Sequence, residues 1–103
     1  MFEVTEQQKK QWKAKHKDVF LVQVPLDDEG SIAEAYMKKP SLDAISAAAK
    51  FEVSDPVKSS MIIFESCWID GEAIIKESTE AKLSALKAVK KIFKVRVATI
   101  KKI

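Results

Sequence analysis

Asp18-Val19-Phe20-Leu21-Val22-Gln23-Val24-Pro25-Leu26-Asp27-Asp28-Glu29-Gly30-Ser31-Ile32-Ala33-Glu34-Ala35-Tyr36-Met37-Lys38-Lys39-Pro40 separates this chain from a purely helical one. Val19 to Val24 is rich in β-branched and aromatic residues, which suit a pleated, half-buried surface, and Pro25 ends the ladder. Asp-Asp-Glu-Gly at 27–30 supplies turn chemistry. The second half, Ser31 to Lys38, reads as a weaker strand because Ala and Glu favour it less. Ile32, Ala33, Ala35, Tyr36 and Met37 are its expected inward residues. Two such strands form a hairpin, and a lone hairpin is marginal in water. The rest of the chain must therefore cover one of its faces.

Upstream, residues 5–16 read as a helix, with Thr5 and Gln8 at capping-box spacing. Trp12 is its one large apolar side chain, and either docks the helix on the body or is offered to a partner. Downstream, Pro40 breaks the strand and Ser41 is a good helix N-cap. Leu42, Ile45, Ala48 and Ala49 then recur at helical spacing to about Phe51. Asp55-Pro56 is the next start signal, with Asp at the cap and Pro at the first helical position. The helix it opens should run to about residue 67 with a wide apolar face. Ile69-Asp70-Gly71 is expected to stop it, with Gly71 free to take a positive φ.

Ala73 to Ile75 reads as a short helical turn, and Ser78 or Thr79 caps a last helix. Leu83, Leu86, Val89 and Phe93 form its apolar stripe. From Phe93 onward the pattern also alternates, with Val95, Val97 and Thr99, as a strand would. Helix is expected through about residue 92, and the remainder is open. The resulting expectation is one α+β domain over residues 1–103. It has a polar helix at 1–17, a hairpin at 18–40 and a helical part at 41–103, with the small N-terminal β-hairpin packed on the mainly helical C-terminal part.

Composition narrows the function. The chain of 103 residues is 47% hydrophobic and 32% charged, an ordinary globular balance. The longest strictly apolar runs, Met61 to Phe64 among them, are far below the roughly 20 residues that span a bilayer. The polar, lysine-rich start lacks an apolar signal stretch, and the single Cys67 cannot close an intrachain disulfide. Both point to the cytoplasm. The only His, His16, lies far along the chain from Cys67, and nothing in the sequence suggests a Cys–His nucleophile pair. Zinc-ligand spacing and a glycine-rich phosphate loop are absent, and Asp27, Asp28 and Glu29 are too short a run for a calcium loop. The expectation is a protein without catalytic residues, metal or cofactor.

Charge is strongly polarised. Residues 1–17 carry a net +3, residues 18–80 a net −8 and residues 81–103 a net +8. The basic end, with Lys87, Lys90, Lys91, Lys94, Arg96, Lys101 and Lys102, can contact phosphates or an acidic surface. It holds Phe93 but no Tyr or Trp, and it matches no helix-turn-helix or RNA-recognition signature. Nucleic acid is therefore the weaker of two partner classes, and protein the stronger.

Three patterns in fixed order carry a family resemblance. They are Lys15-His16-Lys17-Asp18-Val19-Phe20-Leu21-Val22, Ala35-Tyr36-Met37-Lys38-Lys39-Pro40-Ser41, and Ser66-Cys67-Trp68-Ile69-Asp70-Gly71-Glu72. Together they resemble the tail assembly chaperones of long-tailed, siphovirus-like phages and prophages, over roughly residues 15–95. The family often has Arg before Lys-Pro where this chain has Lys38, and Lys lacks Arg's bidentate geometry. The resemblance implies a protein of the bacterial host cytoplasm, without active site or cofactor. It would bind a long helical tape-measure protein and help recruit tail-tube subunits. The residues it and the apolar stripe nominate for partner binding are Tyr36, Lys38, Lys39, Leu83, Leu86, Val89 and Phe93. Homo-oligomerisation is open, and the alternatives are another small protein-binding adaptor or a nucleic-acid binder acting through the basic end.

Overall fold

The computed structural model describes residues 3–92 and 98–103. The expectations placed on Phe93, Lys94 and Arg96, and the choice between helix and strand at 93–97, lie outside those residues. The fold is α+β: a three-stranded antiparallel sheet with helices before and after it.

The chain starts with α1, Glu6–His16. Thr5 and Gln8 form the capping box: the Gln8 N–H donates to Thr5 Oγ1 at 3.1 Å and the Thr5 N–H to Gln8 Oε1 at 2.9 Å. Lys17 turns the chain with φ 69, and the Asp18 N–H donates back to the His16 carbonyl at 2.8 Å. The hairpin follows as expected, with β1 at Val19–Pro25 and β2 at Ile32–Lys38. Its register pairs Val19 with Lys38 and Pro25 with Ile32. The connecting turn is held by Asp27, whose Oδ1 accepts from the N–H of Glu29 at 2.9 Å and of Ser31 at 3.1 Å, while Gly30 takes φ 95. These backbone donors, Ser31 first, hold the Asp27 carboxyl below the ordinary carboxylate range.

The alternation of the hairpin corrects one expectation. Val22, Val24, Ala33, Ala35 and Met37 are buried on the inner face. Ile32 and Tyr36 have the opposite parity, so they stand on the outer face with Leu21. Ile32 is 51% exposed, and Tyr36 meets Trp12 with ring centroids 5.2 Å apart. Trp12 therefore anchors α1 on the outer face.

Two helices follow: α2, Leu42–Ala49, and α3, Pro56–Cys67. Ser41 caps α2 by accepting from the Ala44 N–H, and Asp55 caps α3 by accepting from the Lys58 N–H, both at 3.1 Å. A second correction comes next. α3 ends at Cys67, as expected, but the residues that stop it form a strand: Trp68–Gly71 is β3, paired antiparallel with β2 through Ala35↔Gly71 and Tyr36↔Asp70. Gly71 does not take positive φ. It is glycine because the backbones approach closely: a Cβ there would lie 2.6 Å from Ala35 Cβ and 2.8 Å from Ala35 Cα. Glu72 extends the pairing, its N–H donating to the Glu34 carbonyl at 3.0 Å while its Oε2 accepts from the Glu34 N–H at 2.6 Å.

A short helix, α4 at Ile74–Glu77, leads into α5 at Thr79–Ile92. Ser78 is the cap of α5, its hydroxyl accepting from the Ala81 N–H at 3.3 Å. The inner face of the sheet is covered by α5 over β1 and α3 over β2, with α2 packed outside α3. The core joins Val22, Val24, Met37, Phe64, Ile75 and Val89, among others. Phe64 is fully buried, and Trp68 packs against it with ring centroids 5.6 Å apart.

Gly71→Ala should destabilise the fold by about 1–3 kcal/mol, the usual range for overpacking. Urea unfolding followed by circular dichroism measures this. An unchanged midpoint would mean that β3 can move away from Ala35 at no cost.

Candidate functional site

The helical layer leaves an apolar groove between α2, α3 and α5, of about 330 Å³. Ile45, Ala48 and Ala49 come from α2, Ile63 from α3, and Leu86 and Val89 from α5. Ser59 and Ser60 lie along it, and Glu52 and Lys90 flank it with opposite charges. Small side chains line much of it because α2 and α3 present Ala and Ser on that side. Side chains of this size let another backbone come close, and apolar walls reward burial of a partner's apolar face. The arrangement suits an amphipathic helix laid in a groove.

The residues singled out in the sequence fall into two separate groups. Leu86 and Val89 are only 7% and 2% exposed, so most of each side chain belongs to the core and only a flank reaches the groove. Leu83, one turn before Leu86, is 47% exposed. The stripe is therefore split, because a helix packed on a sheet and on a neighbouring helix buries more than one of its flanks. Tyr36 is on the outer sheet face under Trp12. Lys38 is half-buried, and Lys39 pairs with Asp18 at 3.3 Å. Both partners of that pair are largely exposed, so it contributes little stability. Of the basic end, Lys87, Lys90, Lys91, Lys101 and Lys102 are exposed.

Sequence reasoning placed Ile45, Ala48 and Ala49 with Leu42 at helical spacing and did not connect them with Ile63. The available signal was the composition of α2. Its segment Leu-Asp-Ala-Ile-Ser-Ala-Ala-Ala is too apolar for one contact face, so a second face was left over. The same holds for α3, whose other side shows Val57, 56% exposed, beside Met61 and Ile62. Phe51, at the end of the α2 turn, carries the Lys58 ammonium 4.2 Å from its ring centre.

The titratable groups have plain surroundings. Burial pushes the Cys67 thiol up to about 11, against a smaller opposing pull from Lys38. His16 is held below the ordinary imidazole value by desolvation, then by Lys38 and Lys15. Among the described residues, no three His, Cys, Asp or Glu side chains gather in a way that could hold a metal ion. Among the same residues, no helix is long and apolar enough to cross a membrane. Compared with protein-family models, with curated proteins and with solved structures, the chain gives no match.

Cys67 is fully buried, and its thiol, pushed up to about 11, is almost wholly protonated at pH 8. Thiol labelling of the folded protein with a disulfide reagent at that pH should therefore proceed only as fast as the protein opens, and should become immediate in denaturant. Rapid labelling of the native protein would contradict the burial of this residue.

Proposed function

We propose that this protein acts by binding the helical segments of another protein in the α2–α3–α5 groove, without catalysis and without a cofactor. The observation that carries the reading is the groove itself. Its walls, Ile45, Ala48, Ala49 and Ile63, are apolar, and its borders are charged. This is the surface an apolar helix face needs if it is to be held in a soluble complex.

The sequence resemblance narrows the partner. A tail assembly chaperone-like role makes it a long helical tape-measure protein, engaged in the bacterial host cytoplasm before tail-tube subunits are recruited. A groove of this size fits that role. It grips one or two turns of helix, so each contact is weak, and a long partner is covered by many copies that can later leave.

Co-expression with the helical protein encoded beside this one tests the proposal. The expected result is a soluble complex from a partner that is insoluble alone. Ala49→Trp, which fills the groove from an exposed position, should reduce recovery of the complex about tenfold while leaving the urea midpoint of the free protein nearly unchanged. If the partner is equally soluble without this protein and none is retained, the proposal fails. Steeply salt-dependent binding to random-sequence DNA would then favour the basic residues Lys87, Lys90, Lys91, Lys101 and Lys102 as the working surface.

A further inference from the structure

β1 is an edge strand, since the sheet order is β1-β2-β3. The Leu26 N–H donates to the Ser31 carbonyl at 2.8 Å, which fixes the parity of the hairpin. Counting back in steps of two, Val24, Val22 and Phe20 direct their backbone groups to β2. Val19, Leu21 and Gln23 direct theirs outward, and Pro25 offers only a carbonyl. The same count on the far side of β2 points Glu34 at Glu72, where the hydrogen bonds are found. Among the described residues, no strand takes up the outward groups of Leu21 and Gln23.

Edge strands are commonly protected by a lysine, a bulge or a central proline. β1 reads Val-Phe-Leu-Val-Gln-Val-Pro, with no charge over its seven residues. Leu21 is 48% exposed on it. The two ends of the strand carry opposite charges. Asp27, Asp28 and Glu29 form the hairpin tip beyond one end, and Lys13, Lys15 and Lys17 lie before the other, all exposed.

From this edge we propose that the protein associates with a second copy of itself, β1 against β1 in antiparallel fashion, to form one continuous six-stranded sheet. A two-fold axis through Leu21 sets Leu21 opposite Leu21, and Val19 of one copy opposite Gln23 of the other. That register uses every outward donor and acceptor of Val19, Leu21 and Gln23, and keeps Pro25 out of the paired segment. Registers shifted toward the hairpin tip place Pro25 in the ladder and lose hydrogen bonds.

Antiparallel pairing brings each acidic tip to the other copy's basic end, whereas parallel pairing sets like charges together. The helical layer leaves room. Lys82, Leu86 and Val89 face α3 and the groove, and the flank of α5 turned away from the groove carries the half-buried Ser84 and Ala88, of which Ala88 also packs against the core. Small residues there allow the two α5 helices to lie alongside each other at the short end of helix-packing distances, about 8 Å. This interface is on the other side of α5 from the groove, so it does not depend on the proposed function.

Sedimentation equilibrium of the full chain over a range of concentrations reads the association. The wild type should be dimeric, and Leu21→Lys should weaken the dimer at least about tenfold without altering the circular dichroism spectrum. Two charge-reversed variants complete the test: Asp28→Lys with Glu29→Lys, and Lys13→Glu with Lys15→Glu, while Asp27, which holds the hairpin turn, is left in place. Each alone should be monomeric, and their mixture should restore the dimer. A monomeric wild type at millimolar concentration would overturn the proposal, as would a dimer indifferent to all three variants. A monomer whose Leu21 and Gln23 amides are nevertheless protected from hydrogen exchange would also overturn it, because the occupant would then belong to the same chain.

Discussion

The fold depends on how closely β3 approaches β2 at Ala35 and Gly71. No side chain larger than hydrogen fits at Gly71, because Ala35 already occupies the space. That contact closes the third strand onto the hairpin and places Trp68 over Phe64. It also sets where α3 ends and where α4 and α5 begin. Without it the hairpin would have two strands, too few for independent stability, and the helices would have no fixed platform. Small residues recur on this layer: Ala33 and Ala35 on β2, with Ala81 and Ala85 on α5, are all buried. They let α5 sit close to the sheet, and the larger side chains Phe64, Met37 and Ile75 fill what remains.

Much of this architecture is legible in the sequence where the signal is local. The capping box of Thr5 and Gln8, the caps Ser41 and Asp55 and the turn at 27–30 each specify a hydrogen bond within a few residues, and Pro56 presets its own φ for the start of α3. All of these are realised. β3 was not legible, for a physical reason. Its four residues follow an apolar helix directly, so their pattern merges with that of the helix, and the bonds that define it go to residues more than thirty positions away. The facing of Ile32 and Tyr36 was decided by strand parity, which listing apolar residues does not respect.

The candidate site shows the same division. Leu86 and Val89 are singled out by their helical spacing, yet the spacing cannot say which flank a neighbour covers. The groove needs three helices to meet, and only packing brings Ile45, Ala48, Ile63 and Val89 together. Its chemistry is also quiet, being Ala, Ser and Ile instead of charged or nucleophilic groups. Such a surface leaves no motif, and a partner recognised by shape and apolar burial requires none. The strongly basic stretch is conspicuous in sequence, but its Lys87, Lys90, Lys91, Lys101 and Lys102 are spread over exposed positions, and of these Lys90 borders the groove.

The account places partner binding at the junction of α2, α3 and α5. The most direct measurement is a titration of methyl-labelled protein with an amphipathic helical segment of the partner, followed by NMR. The account predicts that the methyl signals of Ile45, Ala48, Ile63 and Val89 shift together and saturably, while Val24 and Leu21 stay in place. If instead the groove methyls are unmoved while saturable changes fall on the hairpin or along the lysines of α5, the groove is not the site of recognition.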